Sequence, residues 1–184
     1  MCGIAGYFNP DQNYAENPKQ NFHTLSRMIN TMNHRGPDTY GHTIINSCCL
    51  AHTRLSIIDL ENGRQPMSYT KDGNTYYIVY NGEIYNYKEV KKTLLRKNYT
   101  FETNSDTEVI IAAFCHYGPG FVKELNGIFA IAIYDSMRNT LYLYRDRFGV
   151  KPLYYTKTGD TLVFASRIDT LFEYPRVRPC IDMN

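Results

Sequence analysis

Tryptophan is absent from the 184 residues, so the aromatic content rests on 17 tyrosines and 9 phenylalanines. No window approaches the roughly 18 consecutive apolar residues of a membrane-spanning helix, and the start lacks a basic stretch followed by an apolar one, so neither a membrane span nor secretion is expected and the placement read is cytoplasmic. No basic run exceeds Lys91-Lys92, and 20 basic against 18 acidic residues leave a formal net charge of +2. A nucleic-acid partner is therefore not expected, and a small molecule or a protein is. The cysteines, Cys2, Cys48, Cys49, Cys115 and Cys180, are odd in number and show neither a CxxC pair nor zinc-ligand spacing with histidine. Free thiols are expected in a reducing compartment, and no metal site. Internal repeats and low-complexity tracts are also missing.

A hydrophobic content of 43% and a charged content of 21% describe an ordinary globular domain, with chain enough to bury a substantial core. Chemistry is concentrated first at Met1-Cys2-Gly3-Ile4-Ala5-Gly6. Removal of the initiator methionine, which the small side chain of Cys2 permits, would leave one residue carrying both a thiol and an α-amine. A thiol of pKa about 8.5 is a weak nucleophile until its proton is taken, and an α-amine titrates at about 7.7 to 8.0. Sulfur and proton acceptor would then belong to the same amino acid. An incidental buried thiol is the bland alternative.

Residues 2 to 8 suit a buried strand, Asn9 to Asn21 a loop, and Phe22, Leu25, Met28, Ile29 and Met32 one apolar face of a helix ending near His34-Arg35-Gly36. In the turn Arg35-Gly36-Pro37-Asp38 the guanidinium and carboxylate are read as bracing. Strands are expected at 42–46 and 48–59, where Arg54 shares a parity with His52, Ser56 and Ile58 and requires a carboxylate partner. Lys71-Asp72-Gly73-Asn74 opens a hairpin. Asn81-Gly82-Glu83 then places an amide, a bare backbone N–H and a carboxylate at a strand end before a helix with Val90, Leu94 and Leu95 inward. Ser105-Asp106-Thr107-Glu108 has the form of a capping box, which accounts for Ser105 and Glu108 and leaves Asp106 as a free acceptor. From Gly127 onward strands dominate, with 128–133 apolar on both faces and Arg145-Asp146-Arg147 read as bracing.

Seven motifs in order, MCGIAG at 1–6, HRGPD at 34–38, HTRLSIID at 52–59, NGEIYN at 81–86, SDTEVI at 105–110, NGIFAIAIYD at 126–135 and RDRFGVKPLYY at 145–155, resemble the class II glutamine amidotransferase domain. More narrowly they are similar to the N-terminal glutaminase domain of glutamine-hydrolysing asparagine synthetases. Residue patterning alone gives only a mixed α+β chain rich in strand. The resemblance implies a four-layer αββα sandwich of the N-terminal-nucleophile hydrolase type. It also implies hydrolysis of the glutamine side-chain amide to glutamate and ammonia. It carries Cys2 over as the nucleophile, Asn81 and Gly82 as the oxyanion hole, and Arg54, Leu55, Ser56, Ile57, Ile58, Glu83 and Asp106 as the glutamine-binding residues. No cofactor is implied for this half; ATP and magnesium belong to a synthetase domain, supplied in cis or in trans, and homo-oligomerisation is left open.

The resemblance divides the chain into a glutaminase domain at 1–174 and the start of a linker at 175–184. Relatives commonly read FASE-x-K-A-L where this chain has Phe164-Ala165-Ser166-Arg167-Ile168-Asp169-Thr170-Leu171, an acid exchanged for a base near the domain junction. No Ser-Gly-Gly-x-Asp-Ser pyrophosphate motif occurs, so activation of aspartate by ATP is expected from another domain or polypeptide. The alternatives are a noncatalytic glutamine-binding or partner-regulating module, and a glutaminase half serving another acceptor such as a sugar.

Overall fold

The computed structural model describes residues 2–55 and 63–180. In chain order the elements are β1 (Gly3–Phe8), α1 (Pro18–Met32), β2 (Thr39–Ile45), β3 (Cys48–Arg54), β4 (Met67–Lys71), β5 (Asn74–Ile84), α2 (Tyr87–Leu95) and α3 (Asp106–Tyr117). They continue with β6 (Gly127–Asp135), β7 (Thr140–Arg145), β8 (Tyr154–Thr158), β9 (Thr161–Ala165) and α4 (Ile168–Leu171). A 5-stranded sheet has the order β2-β3-β1-β9-β8 and a 4-stranded sheet the order β4-β5-β6-β7. The pairings within both are antiparallel.

Strand alternation sorts the side chains into three apolar layers. Ile4 of β1, Cys48 and Leu50 of β3, Val79 of β5, Ala130, Ala132 and Tyr134 of β6 and Phe164 of β9 pack together between the sheets. Their neighbours Ala5, Tyr7, Cys49 and Ala51 face outward onto Leu25, Met28, Ile29 and Met32 of α1 and Leu171 of α4. On the other side Ile78, Phe129, Ile131 and Ile133 pack on Val90 and Leu94 of α2 and on α3. The order of layers is helix, sheet, sheet, helix, and β6 is covered on both faces as its unbroken apolar run requires.

Several local features differ from the sequence reading. A short 3-10 turn at Tyr14–Glu16, capped by Asn13, and the first residues of α1 occupy part of the expected loop, because Pro18 sits at the first helical position where its fixed φ is tolerated. Phe22 is 46% exposed and packs against His42 with ring centroids 4.8 Å apart, and Leu95 is 51% exposed, so neither joins the core. Gly36 does not cap α1. A Cβ there would stand 2.5 Å from Arg54 N, because Pro37 bridges to Arg54 and the amide of Asp38 donates to Arg54 O at 3.1 Å. Asn81-Gly82-Glu83 lies inside β5, paired with Ala130, Phe129 and Ile128, and is not a strand end. The capping box forms by half. Ser105 Oγ accepts from Thr107 N at 3.2 Å, whereas the Glu108 carboxylate turns to the amides of Glu102 and Thr103, each at 2.8 Å.

The hairpin and one loop brace match the sequence reading. Asp72 and Gly73 have φ of 50° and 79°, the left-handed pair of a two-residue hairpin turn between β4 and β5. Asp146 accepts from the amides of Phe129, Phe148, Val150 and Lys151, which together hold its carboxyl below the ordinary range despite the opposing effect of burial. It braces the 145–151 loop, as read. Cys48 and Cys49 are buried thiols, and Cys2 and Cys115 are partly exposed thiols. No helix among the described residues is long and apolar enough to cross a membrane.

Candidate active site

At one end of the sandwich a cavity of about 140 Å³ opens between the sheets, bordered by Cys2, His52, Arg54, Leu55, Asn81 and Asp106 among others. The strand periodicity explains the convergence. Cys2 precedes Ile4 by two positions, His52 and Arg54 continue the parity of Leu50, and Asn81 continues that of Val79. All four thus extend the inner faces of the two sheets beyond the apolar middle layer, where polar side chains replace apolar ones and leave a gap.

Cys2 sits one residue before β1, with Sγ 3.4 Å from the donating amide of Leu55 and 3.7 Å from Leu55 O. Its carbonyl accepts from Arg35 Nε at 3.1 Å, which gives Arg35 the bracing contact expected for it. Burial, then the Arg167 charge, lower the pKa of the Arg35 guanidinium. Arg54 is buried at the end of β3. Asn81 is 2% exposed, and its Nδ2 is a buried donor with no protein partner among the described residues. An unmet buried donor costs about 1 to 3 kcal/mol, a cost that a ligand acceptor would remove. Gly82 and Glu83 border the same cavity, the latter exposed.

Asp106 opens α3 and accepts from Tyr80 Oη at 2.9 Å and, more weakly, from Ile84 N at 3.5 Å. Burial raises its pKa against the lowering effect of these donors. A cationic group arriving beside it would favour the charged form. The expected positions Cys2, Arg54, Leu55, Asn81, Gly82, Glu83 and Asp106 are therefore brought together. Ser56, Ile57 and Ile58 lie outside the described residues.

The sequence reading missed Tyr80, Gln65 and Thr107, which also border the cavity. Nothing local singles them out: Tyr80 is one of 17 tyrosines, and Gln65 is a polar residue before Pro66. His52 is the one imidazole bordering the cavity among the described residues. Its Nε2 lies 3.2 Å from Tyr80 O and must donate to that carbonyl, while burial above all, with the Arg54 charge adding to it, depresses its pKa to about 3. It is a neutral cross-link between the sheets and not a base. In the unfolded chain the same group titrates near 6.5, so below that pH the unfolded state binds the extra proton and stability falls with acid. Between pH 7 and 5 this contributes about 2 kcal/mol of lost stability. Denaturant titrations at the two pH values are expected to show that loss in the native protein and a smaller one in His52→Gln. Among the described residues no group of three or more His, Cys, Asp or Glu is placed to hold a metal ion.

A helix-sheet-sheet-helix sandwich with a thiol at the head of a central strand defines the class: the αββα fold of the N-terminal-nucleophile type. The glutamine phosphoribosylpyrophosphate amidotransferase of Bacillus subtilis has the same fold, with a TM-score of 0.67 at 19% identity over 92% of this chain and 42% of that one. The glutamine amidotransferase domain family matches residues 1–184, and the chain belongs to that family. Asparagine synthetase [glutamine-hydrolyzing] 3 of Bacillus subtilis is 40% identical over 99% of this chain. The Escherichia coli asparagine synthetase B is 40% identical over 89%. Amidase chyE of Penicillium rubens is 36% identical over 95%. The chain spans 29%, 28% and 26% of the lengths of these relatives.

Proposed function

We propose that the chain hydrolyses the side-chain amide of glutamine through a thioester on Cys2 and hands the ammonia to an amidating domain or partner, with asparagine formation the leading outcome. Asn81 Nδ2, buried in the cavity that Cys2 borders, carries this reading: it is a hydrogen-bond donor that meets no acceptor among the described residues and is placed to receive one from a bound ligand. Once Met1 is removed, the Cys2 α-amine takes the thiol proton and the sulfur attacks the amide carbon. The oxygen becomes an oxyanion held by Asn81 Nδ2 and Gly82 N–H. The tetrahedral species collapses as the amine's extra proton passes to the leaving nitrogen, releasing ammonia and leaving the glutamyl thioester. Water, deprotonated by the same amine, then cleaves the thioester to glutamate and restores the thiol. The depressed basicity of the buried His52 ring favours the α-amine as base.

A zwitterionic amino acid needs a cation for its carboxylate and anions for its ammonium. Arg54 is assigned the first role and Asp106 and Glu83 the second, and Leu55, which borders the cavity, is assigned a glutamine contact with them. Arg54→Lys is expected to raise KM for glutamine about tenfold or more, because an ammonium cannot form the bidentate pair of a guanidinium. Hydrolysis of an analogue lacking the α-carboxylate should change far less, and equal losses on both substrates would remove the assignment. Intact mass of the native protein should show Met1 gone; retained methionine would defeat the mechanism.

Residues 1–174 are the proposed glutaminase unit and 175–184 the lead into a further domain, in keeping with relatives several times longer. ATP and magnesium are assigned to that further domain, with no cofactor in this one. The similarity to an amidase favours, as a second reading, an acceptor other than aspartate. Stimulation of glutamine hydrolysis by aspartate with ATP, after the missing half is supplied, separates the two.

A further inference from the structure

Tyr80 immediately precedes Asn81 on β5, and both of its backbone groups are held by side chains. Its N–H donates to Gln65 Oε1 at 2.6 Å, and its carbonyl accepts from His52 Nε2 at 3.2 Å. In an antiparallel strand the N–H and C=O of one residue point to the same edge, and those two residues further on point there again. The groups of Tyr80 and Gly82 therefore share the edge of β5 that faces away from β6. β4 serves this edge only as far as the pair Met67 and Ile78.

Gln65 stands two residues before Met67, at the place where a longer β4 would meet Tyr80. Its side-chain oxygen takes the amide that a strand carbonyl would otherwise take. The edge is thus closed at Tyr80, while no pairing with β4 reaches Gly82 among the described residues. At its other end Gln65 Nε2 donates to Thr107 Oγ1 at 3.3 Å, one residue from Asp106 on the first turn of α3. The Tyr80 hydroxyl meets Asp106 itself at 2.9 Å. One amide side chain consequently ties the strand that carries Asn81 and Gly82 to the helix that carries Asp106.

We propose that Gln65 is a positioning residue, fixing the β5 edge so that Gly82 N–H stays open toward the cavity and so that the oxyanion donors keep a set distance from Asp106. Its effect on turnover rests on the glutaminase reading; its effect on the backbone does not. The terminal amide is suited to the task because it offers an acceptor in one direction and a donor in the other, which no apolar side chain of the same length does.

The test uses Gln65→Met, which keeps the volume and loses both hydrogen bonds, and Gln65→Glu, which keeps an oxygen acceptor for Tyr80 N. Amide hydrogen exchange at Tyr80 is expected to quicken about tenfold in Gln65→Met while Ile133 in the middle of β6 is unchanged, and Gln65→Glu is expected to restore protection. With glutamine, kcat of Gln65→Met should fall about tenfold or more, a loss of the order produced by slight misplacement of catalytic groups. Wild-type exchange at Tyr80 together with wild-type kcat overturns the inference. Faster exchange with unchanged kcat, in a protein whose native form hydrolyses glutamine, overturns the positioning role and leaves the glutaminase reading intact. If the native form is inert toward glutamine, the glutaminase reading falls, and exchange at Tyr80 alone decides whether Gln65 holds the edge.

Discussion

Cys2→Ala is expected to keep its fold and to lose glutamine hydrolysis by about a thousandfold or more, the order of loss when an enzyme is deprived of its attacking atom. Retention of the fold follows from how little the sulfur supports. Among the described residues its hydrogen-bond contacts are the long ones to Leu55 at 3.4 and 3.7 Å, and β1 begins only at the next residue. The α-amine and Asn81 remain in this variant, so it should still bind glutamine, with a Kd readable by calorimetry. Cys2→Ser is expected to lie between the two, since a hydroxyl loses its proton to the nearby amine far less readily than a thiol does. Glutamate release within tenfold of the native protein in Cys2→Ala would place the nucleophile elsewhere and end the thioester mechanism.

Asn81→Ala should separate catalysis from stability more sharply. Removing one oxyanion donor costs about a hundred- to a thousandfold in kcat and leaves KM nearly unchanged, because the donor acts on charge that exists only along the reaction path. The usual stability cost of deleting a buried polar side chain is offset here. Asn81 Nδ2 has no partner to lose among the described residues, and its removal relieves an unmet donor while creating a small cavity. Thermal unfolding is therefore expected within a few degrees of the native midpoint. A kcat within tenfold of native would take Asn81 out of the reaction.

The layers of the sandwich were legible where one period dominated. The apolar run of β6, the hairpin at Asp72-Gly73 and the inward stripe of α1 from Leu25 to Met32 each admit a single reading. The pairing of strands far apart in sequence was not, since nothing local in Gly3–Phe8 states that it will lie between β3 and β9. Gly36 shows a second limit, for a glycine after a helix serves equally as a cap or as clearance for a crossing strand. At the site, the ordered motifs named residues that border one cavity. They did not find Tyr80 and Gln65, whose contribution is the direction of backbone groups, a property that depends on where β4 stops.

β1 has hydrogen-bonded neighbours on both sides, and Ser166 closes its far partner by accepting from Ile4 N at 3.0 Å while its own amide donates to Ile4 O at 2.8 Å. Chain ends ordinarily fray, so a reactive group at the head of the polypeptide would be expected to wander. Here its leash is one residue long, and the clasp is contributed from more than 160 positions away. A shortened fragment designed around the first motifs alone would carry every reactive atom and still fail. Any minimal autonomous unit must run through Ser166, and shuffled arrangements of the gene must preserve that late segment beside the beginning.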